Sequence, residues 1–591
     1  MGNMHPPVPQ FALAVGVVGH RPNRLPVHAR NAVAHAIHQA IAAIREAAGE
    51  TRKRYGDSFA PGEGGFALVC ALAEGADTMA AEAAHAQHIP FDVVLPFERD
   101  EYLKDFSENA RDAYRTNLQH ARTILELFGT RADEGKSYEA AGLAILDGAD
   151  LVIVVWDGGP SAGRGGTSEL IAEAGRRGMP IVHVDANGEA PTRILWAGLE
   201  TGHSTAMHIM DHPSAPLEHA VLPVVDSLVR PPDDEDERAG LAQFFSESEP
   251  RWISRQSFPF LMALFGVRWP ARGDFIPASP AALADGVTKA NRDAPPVLAD
   301  AFGWADAVSV YFSQTFRGTV VGNFTAMALA VIAAASSLLA DRLSIPVWAF
   351  ALAELALIVW VFVNTRAGLK HHWHERWVEP REVAERLRIA LPMTTVGTRP
   401  LGPYGAAQTW TGWYVRALVR ATGLAGGRMD GERLAAAKRA TAALLANQLQ
   451  YHRTSARRFE SLNSRMKIAG ETALGLTILA IIAHFLSGGS QTTAEAASHF
   501  PAHNLFTAIT TGLPALGAAI FGIRIIGDFE GTASRAGRMS GQIARLQAGL
   551  ENVPANFHAL RTFLHDAEAV MLGEVASWRL SAESRGLSVP G

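Results

Sequence analysis

The chain has 591 residues, 48% of them hydrophobic and 19% charged, with a formal net charge of −6. That balance excludes a basic nucleic-acid-binding surface, and no stretch interleaves aromatic and basic residues into a base-stacking platform, so nucleic acid is not an expected partner. The single cysteine, Cys70, excludes an intrachain disulfide and a multi-thiolate zinc site, and within the apolar run Phe66–Ala71 it reads as an inert core thiol.

The first apolar stretch, Phe11–Val18, is short, lacks a basic leader and runs into Gly-His-Arg-Pro. It is predicted to be a strand, with the N-terminus in the cytoplasm. Further short apolar runs follow at Phe66–Ala71, Asp92–Leu95, Thr123–Phe128, Leu151–Trp156 and Ile181–Val184, separated by the helical patterns Ala29–Ala47, Thr78–Gln87, Arg99–Leu118 and Thr167–Arg177. This alternation predicts an α/β doubly wound (Rossmann-like) domain, in which ligands bind beyond the carboxyl ends of the strands.

The residues at those ends are Gly19, His20 and Arg21 after the first strand, and Glu74, Gly75 and Asp77 after the second. The fifth is followed by Asp157 and a glycine-rich run to Gly165, Gly166, Thr167 and Glu169. Glycine lets a ligand approach the backbone, and a helix starting there directs free N–H groups at an anion. None of the loops matches the dinucleotide or Walker pattern, so each reads equally as an ordinary strand-to-helix turn or as a ligand site.

Together "VGVVGHRPNRL", "LAEGADTMAAEAA", "LPFERDEYLKDF", "DLVIVVWDG" and "GRGGTSELIAEA" resemble the SLOG superfamily, relatives of the lonely-guy nucleoside-monophosphate hydrolases and of the cytosolic ligand domains of TRPM-type channels. The resemblance covers roughly residues 11–185. It implies a nucleotide or ADP-ribose-like ligand and no further cofactor, with Gly19, His20 and Arg21 bordering the ligand, Glu74, Gly75 and Asp77 lining the second loop, and Gly165, Gly166 and Thr167 holding phosphate. Lonely-guy hydrolases carry Pro-Gly-Gly-x-Gly-Thr-x-x-Glu, whereas here one residue separates Thr167 from Glu169. One position on a helix is a rotation of about 100°, which weakens the hydrolase expectation and leaves Glu169 either as a ligand contact or as an acid complementing the helix dipole.

Residues 186–318 read as a connector, with a charged, proline-led linker at Arg230–Arg238, and no chemistry is assigned to them. Beyond them lie four nearly uncharged runs, Thr319–Leu339, Ile345–Val363, Ile468–Leu486 and Leu505–Ile523. A helix rising ~1.5 Å per residue crosses ~30 Å of hydrocarbon in about twenty residues, so four transmembrane helices are predicted. Arg317, Arg366, Lys370, Arg465, Lys467 and Arg524 flank one side of these runs, while the opposite loops hold only Arg342. The positive-inside rule therefore predicts an inner-membrane, multi-pass protein with both termini and residues 365–467 in the cytoplasm. Gly431–Lys467 can form one helix running into the third span. Glu354, deep in the second run, marks a pore lining or a buried helix contact, at equal weight. Glu471 and His484 lie near span ends. His371, His372 and His374 point in different directions on a helix, and no metal site is expected.

The stretches "HHWHERWVEPREVAERLR" and "QLQYHRTSARRFESLNSRMK" resemble the SLATT family of transmembrane effector domains, which accompany SLOG sensors in bacterial conflict systems, over roughly residues 305–580. The organisation expected is a nucleotide-binding domain at 1–190, a connector at 191–304, a first hairpin with juxtamembrane helices at 305–400, and a second with long cytosolic helices at 401–591. The two resemblances imply a ligand-gated membrane effector of antiphage defence, acting on the lipid bilayer as a homo-oligomer, and more a binder than an enzyme. A membrane-tethered nucleotide N-glycosidase and a nucleotide-regulated cation channel are the alternatives.

Overall fold

A computed structural model describes residues 4–62, 64–160, 163–199, 212–400, 409–488 and 500–583. Ser161 and Ala162 of the fifth strand-end loop, most of the loop between the third and fourth apolar runs, and the C-terminal residues 584–591 lie outside the described residues.

All six expected strands form, as β1 (Ala12–Gly19), β2 (Gly65–Cys70), β3 (Phe91–Leu95), β4 (Thr123–Glu126), β5 (Leu151–Trp156) and β6 (Ile181–Asp185). Two antiparallel edge strands, β7 (Arg193–Leu195) and β8 (Ser214–Pro216), and a short parallel strand, β9 (Gly427–Arg428), complete a mixed sheet of order β8-β7-β6-β5-β1-β2-β3-β4-β9. Continuous aliphatic runs such as Leu151–Trp156, buried at every position, suit parallel strands covered on both faces. Leu13, Val15 and Val17 point to one core with Val33, Ile37 and Ile41 of helix Arg30–Arg54. Ala14 and Val18 point to the other, with Ala141, Ala144 and Ile145 of helix Glu134–Gly148.

Two expectations are corrected. The helix expected over Arg99–Leu118 is broken, because the Ser107 N–H and hydroxyl both donate to Glu74, at 2.9 and 2.8 Å, and Phe106 turns inward against Tyr102 and Tyr114. The charged linker at Arg230–Arg238 instead leads into helix Glu235–Phe245, since the Asp234 carboxylate accepts from the Asp236 and Glu237 N–H groups and acids fill the first turn.

Among the described residues, four helices are long and apolar enough to cross a membrane. The first begins at Pro296, well inside the connector, and runs 41 residues to Ser336. The third, Gly431–Gly488, is unbroken for 58 residues, roughly 87 Å at 1.5 Å per residue. Two hairpins share one plan. Helices Pro296–Ser336 and Val347–Lys370 are followed by Glu375–Val396, and helices Gly431–Gly488 and Phe500–Ile526 by Phe529–Glu551; in each case the third helix turns back along the first. Large apolar side chains stand exposed on the apolar segments, among them Trp348, Leu352, Leu355, Ile478, Leu479 and Ile481.

Polar ties join this helical part to the sheet. Helix Trp410–Ala421 packs on the sheet's first core, and Arg420 donates at 2.7 Å to buried Asp150, whose other oxygen accepts from the Ala14 N–H. Asp147, fully buried at the end of helix Glu134–Gly148, receives Arg177 at 2.8 Å, both nitrogens of Arg561 at 2.5 Å, and the Thr398 hydroxyl at 2.6 Å. Burial works to raise this carboxyl, but the Arg561, His565 and Arg177 charges and hydrogen bonds outweigh it and hold it well below the carboxylate range. Asp147→Ala would strand these cations in the interior. Thermal unfolding of the full-length protein should show a loss of about 3–5 kcal/mol, against about 1 kcal/mol for Thr398→Val.

Candidate functional site

The carboxyl ends of β1, β2 and β5 bring three of the sequence-predicted loops together. The His20 carbonyl accepts from the Ala76 N–H at 3.2 Å, and the His20 N–H donates to the Val155 carbonyl at 3.1 Å, so the first two loops are locked across the sheet top. Gly19 and Gly75 are required there: a Cβ at Gly19 would overlap Ala76, and Gly75, at φ +113°, would drive one into the His20 carbonyl. Buried His20 reaches Asp157 of the third loop at 2.9 Å. Arg24 holds the same carboxylate at 2.6 Å and donates to Pro160 O at 2.7 Å. Burial tends to raise Asp157, but hydrogen bonds from His20, the Gly159 N–H and Arg24 prevail and set it at about 2.

The other predicted residues occupy the rim. Arg21, 40% exposed, lies 3.7 Å from Asp105 and over the Tyr138 ring. Asp105 also takes the Tyr138 hydroxyl and, at 2.7 Å, Arg131. Glu74 is engaged by Ser107, and Asp77 is buried, its carboxylate accepting from the Ala71 and Ala73 N–H groups at 3.0 and 3.4 Å. Gly165, at φ +77°, presses on the Glu139 backbone, and Gly166 caps helix Thr167–Arg176 with no side-chain partner. The Glu169 carboxylate accepts from the Gly165 N–H at 2.8 Å, folding its own loop against the helix start.

The geometry therefore combines two helix N-termini, at Gly75 and Gly166, with a rim of arginines. Arg21 has the loosest pairing of them. This is chemistry for holding an anion. The carboxylates are already engaged, Asp157 by His20 and Arg24, Glu169 by its own loop and Asp77 by backbone N–H groups. Asp105, Tyr138 and Arg131 escaped sequence reasoning. The signal available for Asp105 and Arg131 was their position after β3 and β4.

In the apolar helices, Glu354 is half-buried on the stripe shared with Val361, Asn364 and Gly368, which turns toward helix Pro296–Ser336. It makes no hydrogen bond or ion pair among the described residues. Two turns or more further along, Asn364 donates to Asn323 and Asn323 to Thr365, both at 2.8 Å, and Arg255 donates to Asn364 at 3.0 Å. No cluster of metal-ligating side chains occurs among the described residues. Burial pushes the Cys70 thiol up, as suits a core thiol.

No protein-family model matches this chain, and no curated protein matches it.

Burial raises Asp77 to about 7, against the lowering effect of the Ala71 and Ala73 N–H groups. A free aspartate titrates near ~3.9. Between those values the folded protein binds a proton that the unfolded chain does not, so this contribution favours folding at acid pH and declines until pH passes about 7. Asp77→Asn should flatten that decline in a melting-temperature profile of the solubilised protein from pH 5 to 8. A residual slope from Glu379, which burial also raises to about 7, should remain.

Proposed function

We propose that the protein is a ligand-gated membrane effector, in which a SLOG-like, doubly wound (Rossmann-like) domain binds a nucleotide-derived, ADP-ribose-like anion. Its occupancy drives a four-span SLATT-like region, assembled as a homo-oligomer, to permeabilise the inner membrane in antiphage defence. One observation carries the reading. Helix Thr167–Arg176 starts at the glycine loop and ends at Arg177, which shares Asp147 with Arg561 of helix Phe557–Glu583. That last helix packs on Phe529–Glu551 and on the long helix Gly431–Gly488. An anion drawn to Gly166 thus pulls on a chain of packed helices that continues into the apolar segments.

The binding reading is favoured over an N-glycosidase by Glu169, whose carboxylate serves its own loop. Both termini are assigned to the cytoplasm on the basic flanks. Arg255, Arg465 and Arg524 support this by gathering around Asn364, the Phe265 carbonyl and Asn463 at one end of the bundle. Exposed Trp252, Phe260, Leu264 and Trp269 stand in the segment next to that end, and aromatic side chains favour a membrane–water interface.

The full-length protein in dye-loaded vesicles tests the function. ADP-ribose or a related nucleotide should release dye, be recovered intact, and lose its effect in Gly166→Asp, which sets a carboxylate against the phosphate; free base released at turnover rates would instead establish an enzyme. For topology, Lys370→Cys on a Cys70→Ser background should resist a membrane-impermeant thiol reagent in intact cells and react after lysis. Labelling of intact cells would invert the assignment.

A further inference from the structure

A cavity of about 200 Å³ opens between the two hairpins at the level where the apolar segments end. Arg317, two residues before the first apolar run, lines it together with Ile526–Asp528, just beyond the fourth. Helices Glu375–Val396, Gly431–Gly488, Phe529–Glu551 and Phe557–Glu583 supply further walls.

Arg317 is unusual among the arginines here. It makes no ion pair and no hydrogen bond among the described residues, and its guanidinium sits 5.1–5.5 Å from the ring centres of Trp377, Phe459 and Phe258. Cation–π contacts of this kind leave the N–H donors free. Gln448, only 5% exposed, lines the same cavity, and its amide also has no partner among the described residues. His452 and Ser455 add further polar groups from successive turns of the same helix.

The acids of the cavity do not answer these donors. Glu385 is taken by Arg381 and, at 3.0 Å, by Arg388, and Asp528 by Arg535 at 2.6 Å. Glu574 forms no ion pair among the described residues, and burial first, then the Glu385 charge, raises its carboxyl from the ordinary value. A half-buried cation with spare donors, beside a buried amide with spare donors, is costly unless something accepts from both.

We propose that this cavity is a second binding site, independent of the strand-end loops, for a phosphate-bearing anion whose oxygens accept from Arg317 and Gln448. Phe459, Trp377 and Trp578 give its apolar remainder a wall, and Trp377 and Trp578 already meet edge to face at 5.8 Å. The phosphate can come from a phospholipid headgroup entering at the level of the span ends or from a soluble phosphate ester. Occupancy would tie together four helices from both hairpins and so set the resting arrangement of the bundle.

The test uses the full-length protein in a neutral maltoside detergent, titrated with dihexanoyl phosphatidylglycerol, glycerol 3-phosphate or dihexanoylglycerol, with melting temperature and calorimetric affinity as readouts. Phosphatidylglycerol is expected to bind and raise the melting temperature, while dihexanoylglycerol does neither. Glycerol 3-phosphate binding equally well assigns the site to a soluble ester; binding much more weakly assigns it to lipid. Arg317→Gln should weaken binding about ten- to a hundredfold, and Arg317→Lys should restore part of it. Gln448→Leu, which keeps the helix and the volume, should weaken binding several-fold and covers the case in which Arg317→Gln fails to fold. No binding of either phosphate probe, or binding unchanged in both Arg317→Gln and Gln448→Leu, overturns the proposal. ADP-ribose binding at the strand-end loops should be untouched by Gln448→Leu, so failure of one site is distinguishable from failure of the other.

Discussion

The buried carboxylate of Asp147 governs how the parts of this protein fit together. A lone carboxylate in a protein interior is costly, and this one is tolerable only because cations and a hydroxyl from three separate segments converge on it. Arg177 closes the helix that starts at the glycine loop, Thr398 follows Glu375–Val396, and Arg561 belongs to Phe557–Glu583. The sheet and the helices after the apolar segments must therefore assemble at one point. Asp150 repeats the device with Arg420 from helix Trp410–Ala421, which packs on the sheet's other core. The sheet and the helical part are thus joined by shared buried charges as well as by the connector.

That arrangement explains why the strands were legible in the sequence and their surroundings were not. Val15, Val17, Leu68, Val93 and Ile153 lie in local runs whose composition alone marks a covered parallel strand, and each run formed within a few residues of its expected bounds. Strand β9 has only two residues, Gly427 and Arg428, and forms because the Met429 N–H finds the Glu126 carbonyl at 2.7 Å. No local pattern encodes a partner three hundred positions away. Helix Trp410–Ala421 is similar: Trp410, Trp413 and Tyr414 are fully buried, but against Phe244, Phe59 and the Pro7 carbonyl rather than against anything near them in the chain.

The strand-end loops show the same division. Gly19 and Gly75 were readable because backbone crowding has a residue-type signature, and the structure gives the crowding atoms. The tasks of Asp77, Glu74 and Glu169 were not, since a carboxylate next to a glycine loop looks alike in sequence whether it faces a ligand or a nearby N–H. Here all three accept from backbone N–H groups, so the charge left facing the strand ends comes from N–H groups and arginines.

The two hairpins repeat a backbone shape more faithfully than a set of side chains. Each returning helix ends at a corner where a residue other than glycine adopts the left-handed conformation, His372 at φ +50° and Asp528 at φ +47°, an arrangement costing about 1–3 kcal/mol each. The anchors of the corners differ. Arg376 grips Glu247 from the connector at 2.6 Å, whereas Arg535 grips Asp528 itself. Both helices that leave the corners carry an aromatic residue in their first turn, Trp377 in one and Phe529 in the other, and these rings reach the same cluster with Phe258 and Phe459. Arg317 stands in that cluster, over Trp377 from one hairpin and Phe459 from the other. Any relative movement of the hairpins must therefore change how its guanidinium is enclosed.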